Sequence, residues 1–241
     1  MPILTLSRVS KRYGAIVVAD AIDLAVEEGE ALGIIGPNGA GKTSLFNLVA
    51  GTVAVDSGTV VFAGRDVTRL DAAARCRLGI SRSFQIPHPF AGMTVFENLV
   101  VGAAFGGGLA ERDAYGKAVE VLRLTGLAAK ANALAGSLTL LERKRLEMAR
   151  ALATSPKLLL LDEIAGGLSE HECRDLVATI NALRATGVSI VWIEHVVHAL
   201  LAVVDRLIVI DFGRKIAEGE PKSVMVSREV GEIYLGLEAD G

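Results

Sequence analysis

Gly36-Pro37-Asn38-Gly39-Ala40-Gly41-Lys42-Thr43, with Ser44 after it, fits the phosphate-binding pattern G-x-x-x-x-G-K-[ST]. Upstream, Ala31, Leu32, Ile34 and Ile35 read as a buried strand. Downstream, residues 44–50 read as a helix that Gly51 ends. This strand-loop-helix setting lifts the motif above a glycine-rich turn that happens to end in Lys-Thr. Glycines let the backbone curl so that several N–H groups face phosphate oxygens, and the helix N-terminus adds partial positive charge. Lys42 can reach the β- and γ-phosphates, and the Thr43 hydroxyl can ligate Mg²⁺.

The next polar signals also stand at strand ends. Lys157-Leu158-Leu159-Leu160-Leu161 is a continuous apolar run, as in a central parallel strand buried on both faces, and it ends in Asp162-Glu163. Adjacent carboxylates there are costly unless they have partners or chemistry; the plain alternative is a solvated strand end. Residues 188–193 read as a second buried strand, ending in Glu194-His195. Residues 80–84 read as a short strand leading to Gln85, before Pro87 and Pro89 break regular structure. Each of these side chains alone is ordinarily a loop residue. His195 and His198 stand three apart with no third ligand in view, which argues against a metal site built on them. Together, the four signals converge on one rim, because open parallel sheets bind ligands beyond the carboxyl ends of their strands. The chemistry expected there is Mg²⁺-assisted phosphoryl transfer to water. Asp162 and Thr43 are expected to hold Mg²⁺, with Gln85 near the metal. Glu163 is expected to position and deprotonate the water, and His195 to contact the γ-phosphate or the water.

Around this centre, residues 3–7 alternate, and so do Ile22, Leu24 and Val26; residues 58–63 and Val67 continue the β pattern. Tyr13, in Lys11-Arg12-Tyr13-Gly14, either packs at a strand end or stacks on a nucleotide base; spacing alone favours packing. Residues 70–78 read as a short helix closed by Gly79. From Thr94 to about Arg150 the pattern is helical, with a flexible small-residue loop over 102–108 and helices over 114–124 and 140–153. Thr139 and Glu142 form a T-x-x-E capping box at the start of the last one. A helix follows over 172–184, then strand, turn and strand over 206–217, then a tail helix from Ser223 to near Leu235.

The 241 residues suffice for one large domain with room for a subdomain, and a net charge of −3 gives no basic surplus for a nucleic-acid partner. The most apolar region, 188–210, is interrupted by Glu194, His195, His198, Asp205 and Arg206, so it does not read as a membrane span. Residues 1–12 do not read as a secretory signal. Cys76 and Cys173 stand alone and read as small packed residues in a reducing compartment, which points to the cytosol.

Along nearly its whole length the chain resembles the ATP-binding subunits of ABC transporters. The motifs are residues 36–43, Ser83-Phe84-Gln85, the block over 138–150, Leu160-Leu161-Asp162-Glu163 and Ile193-Glu194-His195. The branched-chain amino acid importer type is the nearer likeness. It rests on Ser83-Phe84-Gln85-Ile86-Pro87, on residues 145–152, on Trp192-Ile193-Glu194-His195 and on the ending Tyr234-Leu235-Gly236. The resemblance implies an α/β fold: a P-loop NTPase (RecA-like) core with a mainly parallel sheet, an N-terminal antiparallel β subdomain and an inserted helical subdomain. The expected division is one domain over 1–241, with 1–87 and 154–241 forming the β subdomain and core and 88–153 the helical insertion. It further implies that Tyr13 stacks on adenine and that residues 36–44 cradle the phosphates. Gln85 couples the metal site to a membrane subunit. Two ATPase subunits, alike or related, close head to tail on ATP and Mg²⁺. Transmembrane permease subunits dock near Gln85 and the helical insertion, on the inner face of the cell membrane, and a periplasmic or extracellular solute-binding protein takes part indirectly.

The chain departs from the family at three places. The signature Leu-Ser-Gly-Gly-Gln is Leu138-Thr139-Leu140-Leu141-Glu142 here. Either Thr139, Leu140, Leu141 and Glu142 still cap ATP in trans through helix N–H groups, or this half-site is weakened. Ile164 replaces a common Pro, and Ser169 an Asp or Asn. The competing functions are an export ATPase, such as one for lipopolysaccharide, a soluble ABC ATPase acting on ribosomes or DNA, and a nucleotide-binding regulator with little turnover.

Overall fold

The computed structural model describes residues 1–228 and 230–231. The chain opens with β1 (Pro2–Tyr13) and β2 (Ile16–Glu27), then β3 (Ala31–Ile35) and α1 (Lys42–Ala50). Next come β4 (Ser57–Phe62), β5 (Arg65–Asp66), α2 (Ala72–Leu78) and β6 (Ile80–Arg82). Three helices follow: α3 (Val95–Val101), α4 (Glu111–Leu124) and α5 (Leu140–Ala153). The remainder is β7 (Leu158–Asp162), α6 (Glu170–Arg184), β8 (Ser189–Ile193), α7 (Val197–Leu201), β9 (Arg206–Asp211), β10 (Arg214–Gly219) and α8 (Pro221–Met225).

Two sheets result. One is antiparallel, in the order β2-β1-β4-β5; the other runs β10-β9-β3-β8-β7-β6. In the second, the five strands from β9 to β6 are parallel, and β10 pairs antiparallel at the edge. Every residue of β3, β7 and β8 is buried, because both faces of this sheet are covered. Alternate side chains feed two separate cores. Leu159, Leu161, Ile190 and Trp192 pack with α3, α4, α5 and α6. Leu158, Leu160, Val191 and Ile193 pack with α1 and the antiparallel sheet. Each of these leucines gains roughly 2 kcal/mol on burial.

Several elements differ from expectation. β1 and β2 are far longer than the alternation suggested, because register shifts break the period-two pattern after Leu6. The segment expected to be a flexible loop at 102–108 is a π-helical turn over Gly102–Gly106. Its glycines permit close packing: a Cβ on Gly102 would lie 2.8 Å from the carbonyl oxygen of Arg150 at the end of α5. The strand expected over 80–84 stops at Arg82. Helices α4 and α6 start earlier than expected, the latter because Ser169 forms a capping box with Glu172. Ser169 thus serves to cap the helix, and Ile164 is buried in the larger core. Cys173 is buried and Cys76 partly so. The tail helix begins at Pro221 and its α-helical span closes at Met225; the expected continuation to Leu235, and the Tyr234-Leu235-Gly236 ending, reach outside the described residues.

Candidate active site

The loop after β3 is shaped by glycine. Gly36 and Gly41 have φ of 155° and 102°, a region open to residues without Cβ. A Cβ at Gly41 would collide with the carbonyl oxygen of Val18, and one at Gly36 with that of Ile210. Gly41 is also the N-cap of α1 and supplies no side-chain cap. The first-turn N–H groups of Lys42, Thr43 and Ser44 therefore have no intrahelical acceptor. Lys42 Nζ donates to the carbonyls of Gly36 at 2.8 Å and Pro37 at 2.9 Å, closing the loop on itself. Burial lowers the Lys42 pKa, opposed by the charges of Glu163 and Asp162.

The carboxylates lie on the same side of the sheet as this loop. A cavity of about 400 Å³ is lined by Val18, residues 38–44, Gln85 and Glu163. Glu163 Oε2 accepts from Gln85 Nε2 at 2.5 Å, and Oε1 lies 3.0 Å from His195 Nε2. Two side chains, from the segments that follow β6 and β8, thus meet at the carboxylate that follows β7. Glu163 has a φ of 47°, a left-handed conformation that costs a non-glycine residue roughly 1–3 kcal/mol.

Asp162 is buried, and its Oδ2 pairs with Arg82 Nη2 at 2.5 Å. Burial raises its pKa, opposed chiefly by Arg82. Its Oδ1 is buried with no hydrogen-bond partner. An orphaned carboxylate oxygen is costly, and a carboxylate with a hydroxyl such as that of Thr43 is the oxygen-donor chemistry that suits Mg²⁺.

Arg82 was not singled out by sequence reasoning. Its signal is a cation inside a strand otherwise buried, and it also donates to Asn47 of α1 at 2.5 Å. Tyr13 is not part of the cavity lining. It is half exposed at the end of the β1–β2 hairpin, with Lys11 Nζ 5.5 Å from its ring centroid. The turn over 139–142 does not line the cavity either. Thr139 Oγ1 accepts the Glu142 N–H at 3.3 Å, Glu142 Oε2 accepts the Thr139 N–H at 2.9 Å, and Glu142 pairs with Lys130. Leu140 and Leu141 are in right-handed helix; Leu140 is 47% exposed and Leu141 packs against the larger core.

The ABC transporter family model matches residues 19–166. The high-affinity branched-chain amino acid transport ATP-binding protein BraF of Pseudomonas aeruginosa is 35% identical over 98% of both chains. The lipopolysaccharide export system ATP-binding protein LptB of Haemophilus influenzae is also 35% identical over 98% of both. Among solved structures, the ADP conformation of an ATP-binding cassette of an ABC transporter superposes with a TM-score of 0.89. It is 33% identical and the match covers 98% of this chain and 99% of that one. A parallel sheet with a glycine cradle and a strand-end Asp-Glu pair is the P-loop NTPase arrangement, and with these likenesses the chain belongs to the ABC transporter family, as one of its ATP-hydrolysing cassettes.

Proposed function

We propose that this chain is the Mg²⁺-dependent ATPase subunit powering a membrane importer for branched-chain or related amino acids. The observation that carries the reading is the Glu163 carboxylate, held by Gln85 and His195 at the mouth of the glycine cradle. The likeness to BraF supports the solute class. The equal identity of LptB makes a lipopolysaccharide exporter the second reading.

In the proposed reaction, residues 36–44 bind the phosphates, with Lys42 at the β- and γ-groups. The open face of Tyr13, opposite Lys11, takes the adenine. Asp162 and Thr43 hold Mg²⁺, with Gln85 beside them; the bound ion neutralises charge developing on the phosphate oxygens. Glu163 accepts the proton of the attacking water. Gln85 and His195 each engage one carboxylate oxygen, which fixes the orientation of the group and leaves a lone pair on each oxygen for the water. His195 also reaches the γ-phosphate or the water.

The chain works in a head-to-tail pair, its Thr139-Leu140-Leu141-Glu142 turn capping the partner's ATP. Transmembrane permease subunits dock on the inner face of the cell membrane, in a groove of about 420 Å³ lined in part by Phe84, Phe90, Phe105 and Arg150. This groove adjoins Gln85 and the helical insertion over 88–153. No helix among the described residues is long and apolar enough to cross a membrane, which suits a subunit that borrows its channel. A solute-binding protein outside the membrane takes part indirectly.

Glu163→Gln tests the assignment. ATP binding is expected to persist while hydrolysis falls by at least about 100-fold and a closed dimer accumulates. Turnover at the parental rate would show the role given to Glu163 to be wrong. Co-purification from membranes, followed by uptake of labelled leucine, separates importer from exporter.

A further inference from the structure

Two buried charges beside the site have no part in the reaction above. Glu194, 1% exposed, follows β8. Its Oε1 accepts the Ala165 N–H at 2.5 Å and its Oε2 the His195 N–H at 3.0 Å. Lys144 lies in the second turn of α5, also buried, and its Nζ donates to the Glu163 carbonyl at 3.4 Å. The Glu163 N–H is itself bonded to the Ile193 carbonyl at 2.9 Å. Residues 163–165 are thus held at three points, from β8, from the turn after it and from α5. What they hold is the left-handed backbone of Glu163. Such a conformation persists only where its surroundings over-determine it.

We propose that Glu194 and Lys144 are positioning residues for Glu163. Glu194 ties the main chain after Glu163 to that of His195, and Lys144 pins the Glu163 carbonyl to the helix that begins at Thr139. The proposal rests on the role assigned to Glu163 above. Its consequence is a coupling within one chain: movement of α5, whose first turn meets the partner's nucleotide in the pair proposed above, reaches the chain's own general base through Lys144.

The electrostatics show how tightly these groups are enclosed. Burial pushes the Glu194 carboxyl up to about 7, opposed by its two N–H bonds and by Lys144, with the charge of Glu163 adding to the rise. Burial lowers Lys144, opposed by Glu194 and Glu163. Cys173 of α6 feels the same Glu194 charge. Apolar side chains would fill this space at lower desolvation cost, but none could accept two N–H groups or hold a carbonyl.

Steady-state ATPase kinetics of the full chain test the proposal, in Glu194→Gln, Lys144→Met and Lys144→Arg, each checked for its melting temperature. The expected result is a kcat at least about tenfold lower in the first two, with KM for ATP within about twofold of the parent because the cradle is untouched. Lys144→Arg should recover most of the rate. Parental kcat in Glu194→Gln and Lys144→Met overturns the proposal, as does a loss confined to KM. If Lys144→Met does not fold, Glu194→Gln, close to isosteric, decides alone. Glu163→Gln run alongside separates the two failures. An active Glu163→Gln refutes the base, whereas an inactive one beside fully active Glu194→Gln and Lys144→Met refutes only the positioning.

Discussion

Helices α1 and α5 begin in opposite ways. The first has a glycine N-cap with no side chain to satisfy its donors. The second is closed by its own residues, Thr139 and Glu142, in a reciprocal capping box. The difference teaches how to read a helix start. An uncapped terminus pressed between neighbouring backbones has room for nothing but glycine, and its free N–H groups await an external acceptor. A self-capped terminus keeps only its first N–H groups free and tolerates any helix-forming side chain. That is why leucines at 140 and 141 are conformationally harmless here: neither position has a positive φ.

The contrast can be broken experimentally. Gly41→Ala carries the largest expected effect. Its Cβ would collide with the Val18 carbonyl, so ATP affinity, measured by calorimetry, should fall by more than about 100-fold. Parental affinity would mean that the cradle does not depend on that close approach. Thr139→Ala should lower unfolding free energy by about 1 kcal/mol in urea titrations, since α5 then loses its cap. An unchanged midpoint would remove the claim that α5 is self-sufficient. The smallest effect belongs to Leu140→Gly combined with Leu141→Gly. The ATPase rate of the assembled complex should change by less than about threefold. A large rise would mean that the leucines obstruct the partner's nucleotide and that the turn is a weakened half-site.

The parts of the molecule legible in sequence are those set by local chemistry. The run of leucines before Asp162 reads correctly because a strand covered on both faces has no wet side to interrupt it. The glycine loop is legible because its spacing and Lys42 stand together in one short stretch of chain. The β1–β2 hairpin is less legible, since Arg8 and Ala21 adopt left-handed backbone and shift the alternation out of frame. Gly102–Gly106 is misread because a glycine required for close packing looks the same as one that loosens a loop. In the site, Gln85 and His195 are weak signals alone and gain weight only as ends of neighbouring strands. Arg82 and Lys144 escape notice because their partners, Asp162 and the Glu163 carbonyl, come from elsewhere in the chain and are brought near by tertiary packing alone.

Strand β7 serves as a bulkhead shared by two hydrophobic compartments, Leu159 and Leu161 facing one and Leu158 and Leu160 the other. The acidic pair is mounted on its end. A void opened in either compartment is therefore expected to disturb the same two carboxylates, so that the chemistry answers to both halves of the molecule even though no nucleotide touches either interior.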